Sequence, residues 1–205
     1  MNIPNNFSPT WRDKVQHIFT DENVETLAIY NFLKQKHKTG TLVPTIELIF
    51  RNYNIDIHKI EGIIINDVPE INSNGLLFGS NEQSNRSLNN TYVQLKNTIY
   101  NKEDDWSFDH TLKTWSNQNL FLMNFNLTRD KEMCEQYKTF SLSILEVIHD
   151  LVRPPILVLG NYSSYIIKQY KLKNIIYDVN PYNESFKDSD SLLQFNRLLN
   201  NVIKY

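Results

Sequence analysis

Residues 60–80, IEGIIINDVPEINSNGLLFGS, decide the fold. Within them residues 62–65, GIII, form a short, wholly apolar, β-branched run, the pattern of a strand buried on both faces of a parallel sheet. The run stops at Asn66-Asp67-Val68-Pro69, so a carboxylate stands at the carboxyl end of a buried strand, ahead of a Pro-bearing, Asn-rich loop. Open α/β sheets place their binding crevices at that end. An Asp after a strand also caps a following segment or closes an Asx turn. Local sequence alone leaves both roles open to Asp67.

Outward from this strand the same pattern recurs. Apolar runs at 120–124, 156–160 and 174–177 read as three more strands, each ending in polar residues: Asn124, Gly160-Asn161 and Asp178 to Pro181. Helices are expected from about residue 11 to 15 and from 24 to near Gly40, and over 42–50 with Pro44 in its first turn. Others are expected over 87–100 with Ser87 as its cap, and over 112–118, 131–151, 162–171 and 191–205. Residues 101–109, NKEDDWSFD, read as an acidic surface connection. Strand followed by helix, repeated, argues an α/β protein: a three-layer α/β/α domain over residues 1–205 with a central four-stranded parallel sheet.

Composition narrows the function classes. Hydrophobic residues make up 40% of the 205 and the net charge is −2, the profile of an ordinary globular chain with room for a sizeable core. A pI near 6.2 is not the basic footprint of a strong non-specific DNA binder. The single cysteine, Cys134, rules out an intramolecular disulfide and suits an intracellular, reducing compartment; it reads as a small buried apolar residue. No apolar run reaches the roughly 18 residues of a membrane span, and the first residues, MNIPNNFSPTW, lack a leader pattern. No membrane, metal or cofactor is expected. Asn and Ile abound while Gly and Ala are scarce, which fits an AT-rich coding sequence. One Asn at a strand end therefore means little, and four strand ends sharing the pattern mean more, because side by side they converge on one crevice.

With these residues in hand, the chain resembles the family 1 uracil-DNA glycosylases over nearly its whole length. The IIINDVPEI segment matches the family's strand and GQDPYH water-activating loop, which puts Asp67 on its catalytic Asp and Asn66 beside it in the substrate pocket. GLLFGS and SLNNTYVQL follow the next motifs, with Phe78 on the aromatic residue that stacks on flipped uracil. LKTWSNQNLFLMNFNLT is the most specific match and sets Asn124 on the Asn that reads the uracil edge. LVLGNYSSYI is similar to the strand and Gly-Ser loop, with Asn161 in place of the Ser.

The departures fall on the loops. The family's HPSPLS motif is Asn180-Pro181-Tyr182-Asn183-Glu184-Ser185 here, so Asn180 replaces the His that supports negative charge on uracil, and Glu184 replaces the Leu wedge. The first loop is shortened and lacks the Tyr that excludes thymine. The Pro-rich phosphate loop becomes Ser84-Asn85-Arg86-Ser87. By the resemblance Ser87, Asn161, Tyr182 and Glu184 are the DNA-facing positions. Losing one preorganised donor costs about 3 kcal/mol of transition-state stabilisation. Asn180 is also a donor, and the mismatch-specific glycosylases carry Asn-Pro there. Glu184 adds desolvation and like-charge repulsion toward phosphates, and Glu70, Glu82, Asp188 and Asp190 put further acids on the same loops.

The resemblance thus implies a uracil-DNA glycosylase fold with base excision lost or strongly weakened. By analogy with the family's poxvirus members, the chain is expected to serve in a viral or mobile-element replication or transcription assembly, associating weakly with DNA or with a protein partner. The alternatives are an active divergent glycosylase using Asp67, Asn124, Phe78 and Asn180, and a reader that binds uracil-containing DNA without cutting it.

Overall fold

The computed structural model describes residues 2–82, 85–100 and 107–200. Most of the acidic 101–109 connection, Ser84 of the phosphate loop and residues 201–205 of the final expected helix lie outside the described residues. Four parallel strands, β1 (Gly62–Asn66), β2 (Leu120–Asn124), β3 (Ile156–Leu159) and β4 (Ile175–Asp178), form one sheet in the order β2-β1-β3-β4. The helices include α1 (Pro9–Val15), α2 (Val24–Lys38), α3 (Ile46–Ile49) and α4 (Arg86–Thr98). In the second half follow α5 (Lys113–Asn117), α6 (Cys134–Leu151), α7 (Asn161–Ile167) and α8 (Ser191–Leu198).

The period of two along each strand divides the core. Ile63, Ile65, Phe121, Met123, Ile156 and Val158 face a layer that includes α1, α2 and α6, where Trp11, Phe32, Phe140 and Ile144 are buried. Ile64, Leu122, Leu157 and Leu159 face the opposite way, onto Leu88 and Leu95 of α4 and Leu192 and Phe195 of α8. Both faces of β1 are covered, which is why its sequence is continuously apolar. Burying each such side chain contributes roughly 1.5–3 kcal/mol.

Several boundaries move. The third helix shrinks to the single turn of α3, with Pro44 before it in a cis bond to Val43 and a 3-10 turn (Arg51–Asn54) after it. The cap of α4 is Asn85, whose side chain accepts the Leu88 N–H at 2.9 Å, and not Ser87. Both residue types cap well, so the sequence did not choose between them. Residues 131–133 are a 3-10 turn leading into α6.

The register sets the site. Asn66 lies opposite Asn124 at the end of β1 and β2, and Leu159 of β3 lies between Asn66 and Asp178. The four carboxyl ends are level, and the polar residues that follow them meet.

Candidate functional site

Three of the expected site residues form a chain of amides. Asn180 donates from Nδ2 to Asn66 Oδ1 at 2.9 Å, and its own Oδ1 accepts the Tyr182 N–H at 2.9 Å. Asn66 Nδ2 donates to Val68 O at 2.6 Å and to Asn124 Oδ1 at 3.3 Å. Asn124 Nδ2 donates to Leu77 O at 3.1 Å. Asn66 is buried beneath the other two. Every amide group in the chain has a partner within the protein, as buried polar groups require.

Asp67 turns the other way. Its Oδ1 accepts the Ser163 N–H at 2.8 Å and the Ser163 hydroxyl at 2.6 Å, and its Oδ2 accepts the Tyr162 N–H at 3.3 Å. These N–H groups open α7 and have no carbonyl of their own helix to bond. A carboxylate there also complements the positive end of the helix. Asp67 therefore caps a segment 95 residues away in sequence. The local alternative, a cap or Asx turn, looked only at the residues just after it.

Phe78 is fully enclosed, 0% exposed, within the core layer of α4 and α8. Ser87 is also buried and donates its hydroxyl to Glu70 at 2.7 Å. Asn161 is exposed at the first residue of α7, beside the Asp67 contact. The structure thus brings Asn66, Asn124 and Asn180 into mutual contact, and directs Asp67, Phe78 and Ser87 into contacts with the protein's own interior.

Tyr182 and Glu184 stand at the surface. Tyr182 is 55% exposed, and the Arg86 guanidinium lies 4.8 Å from its ring centroid. Arg86 also donates to Glu184 Oε1 from Nε at 3.1 Å and from Nη2 at 2.8 Å, while Lys187 Nζ reaches Glu184 Oε2 at 2.7 Å. Lys187, and then Arg86, hold the Glu184 carboxyl below its ordinary value. The acid expected to repel phosphates from this position is thus held between two cations. Glu70 takes the Ser87 hydroxyl and lies 3.9 Å from Arg129, and Glu82 accepts from Asn72 at 2.9 Å. Tyr182, Glu184, Arg86, Glu70 and Arg129 border an open groove of about 680 Å³, together with Val68 and Asn180 among others.

Sequence reading missed Ser163, Lys187 and Arg129. Lys187 was legible as the i+3 partner of Glu184. Arg129 donates to Pro69 O at 3.0 Å and Ser163 holds Asp67, both across long sequence separations that carry no local signal. Among the described residues no group of three or more His, Cys, Asp or Glu is placed to hold a metal ion. No described helix is long and apolar enough to cross a membrane.

No protein-family model and no curated protein sequence matches the chain. Solved structures do. A variant of mimivirus UNG in complex with UGI superposes with a TM-score of 0.77 at 18% identity, over 100% of this chain and 89% of the other. The mimivirus uracil-DNA glycosylase gives 0.74 at 18%, over 97% and 85%. The UNG of Nitratifractor salsuginis gives 0.66 at 13%, over 100% of both chains. At such identities the likeness speaks for architecture alone, and it agrees with the strand order, the level carboxyl ends and the two core layers: the chain has the fold of the uracil-DNA glycosylases.

Proposed function

We propose that this is a uracil-DNA glycosylase-like protein in which base excision is lost or strongly weakened, and that it acts as a DNA-associated or protein-interaction subunit of a replication or transcription assembly inside the cell. The observation that carries this reading is the closed amide chain from Asn180 through Asn66 to Asn124 and Leu77 O. Excision needs a flipped base gripped on its Watson–Crick edge, stacked on an aromatic face, and stabilised as charge develops. Asn124, the edge reader by resemblance, has both ends of its amide engaged. Phe78 offers no exposed face, and both Asp67 oxygens are held at the start of α7. Opening such a site leaves buried groups unpaired, at about 1–3 kcal/mol each, before any substrate contact is made.

The test is incubation with a single-stranded oligonucleotide carrying uracil, followed by alkaline cleavage and gel analysis. Intact DNA is expected. Abasic sites made by this chain and absent with Asp67→Asn would overturn the proposal.

One observation favours the second reading, an active glycosylase: Asn66, Asn124 and Asn180 still meet at the ends of three strands, in hydrogen-bond reach of one another. The same gel decides between the two. Because mimivirus UNG has been solved in complex with UGI, titration with UGI is a second probe of this face, and saturable binding would argue that the face keeps the family's shape.

A further inference from the structure

We propose that Glu184 is a built-in competitor for nucleic-acid phosphate: it occupies Arg86 and Lys187, and a phosphodiester of a single strand binds when it displaces the carboxylate. The inference rests on the DNA-associated reading above and adds to it the means by which association is kept weak. Glu184 is held by one cation on each carboxylate oxygen, at 2.8 and 2.7 Å, from two different elements. Arg86 opens α4, and Lys187 lies three residues beyond Glu184 in the turn after β4. Two cations converging on two oxygens of one anion is also how a phosphate is held. The Tyr182 ring beside Arg86 is exposed, as a platform for a base next to that phosphate would be.

The remaining charges fit a site under internal restraint. With Glu184 ionised the trio carries one net positive charge, and without it two. Glu70 and Arg129, which line the same groove, lie 3.9 Å apart and largely offset each other. Asp188 also acts on Lys187 through its charge. The frame is fixed by buried contacts: Asn90 of α4 donates to Pro181 O at 2.8 Å and Asn183 O at 3.2 Å, and Gln94 donates to Phe186 O at 2.6 Å. The turn that carries Glu184 is thereby tied to the helix that carries Arg86, so removing the carboxylate leaves in place the backbone from which both cations reach.

The experiment measures binding of the full chain to fluorescent oligo-dT across a salt series, for the natural protein and for Glu184→Gln. All three side chains of the trio are at the surface, so the variants keep the fold. Glu184→Gln is expected to bind more tightly at low salt. The slope of log affinity against log salt should steepen by about 0.7 to 1.4, one or two further phosphate contacts on single strands. The triple variant Arg86→Gln, Glu184→Gln, Lys187→Gln should lose that gain. An unchanged slope in Glu184→Gln, or a gain that survives in the triple variant, overturns the proposal. So does competition by inorganic phosphate as effective, per phosphate, as unlabelled oligo-dT, because the site would then take a free anion and not a strand. Base excision is scored separately: abasic products would sink the loss of excision and leave the DNA association, on which this proposal rests, standing.

Discussion

The Asp67 carboxylate occupies the space that a side chain on Gly160 would need. A Cβ built on Gly160 would fall 2.3 Å from Asp67 Cγ and 2.4 Å from each carboxylate oxygen, and the Gly160 φ of +142° is one that other residues rarely adopt. The end of β3 is bare so that the end of β1 can reach across it to the amides of α7. Two strand ends that look in sequence like two separate polar loops are one interlocked unit.

Gly160→Ala is therefore expected to destabilise the protein by more than about 1 kcal/mol, from backbone strain together with the clash. Combining it with Asp67→Ala removes the clash and leaves the strain, so the double variant should lose less than the sum of the singles. Denaturant titration of all four proteins measures the coupling, and strict additivity would contradict the contact.

Asp67→Asn removes a charge from the start of α7 and weakens the acceptors of the Ser163 and Tyr162 N–H groups. A loss of about 1 kcal/mol in stability is expected, read as a lower thermal midpoint. A variant as stable as the natural protein would show that the carboxylate does not hold this helix.

Asn124→Ala removes the 3.1 Å donor to Leu77 O, which keeps only the Ser73 hydroxyl at 3.4 Å, and one of the two acceptors of the Asn66 amide, which keeps Val68 O. The expected cost is that of the lost hydrogen bonds, about 1 kcal/mol, with the largest gain in hydrogen exchange at residues 66–68 and 77–78. Exchange confined to the termini would argue against the amide chain as a stabilising unit.

Asp109 supplies a pH dependence. Its burial pushes the carboxyl up, but the Thr111 and Thr114 hydroxyls and N–H groups together bring it below the ordinary 3.8. A folded-state value below the unfolded one means that this contribution is present above about pH 3.8 and is lost as pH falls through the lower folded value. In Asp109→Asn that part of the acid dependence should disappear, along with about 1 kcal/mol at neutral pH. Thermal midpoints of the two proteins from pH 2 to 7 should converge toward the acid end; a constant gap would exclude the effect.

Asn180→His combined with Glu184→Leu restores the two side chains by which the last loop departs from the glycosylase pattern. No excision of uracil is expected, because Asp67 remains turned to α7 and Asn124 remains bound to Leu77 O. Oligonucleotide binding should strengthen all the same, since Arg86 and Lys187 are released. Abasic sites made by this double variant would locate the lesion in the last loop alone.

The strands were legible almost to the residue, because residues 62–65 and 120–124 are apolar runs bounded by polar stops, and burial on both faces writes itself into composition. Helix ends were less so, as Asn85 and Ser87 show: either can cap, and the choice depends on what else each can bond. Ser87 is drawn to Glu70, a partner invisible from its neighbourhood in the chain. Resemblance named Asp67, Phe78, Asn124 and Asn180 and gave each a position. It gave none of them a direction.

The sequence by itself determined the parallel α/β architecture, the polar character of the four strand ends and the departures in the loops, because hydrophobic period and residue type are local properties. Only the tertiary structure decided what the polar groups do with one another. Polar groups shut away from water favour a partner within the protein, and which partner is nearest follows from strand order and register. In this fold that joins Asn180, Asn66 and Asn124 in one chain and turns Asp67 onto α7, while at the surface attraction between opposite charges sets Glu184 between Arg86 and Lys187.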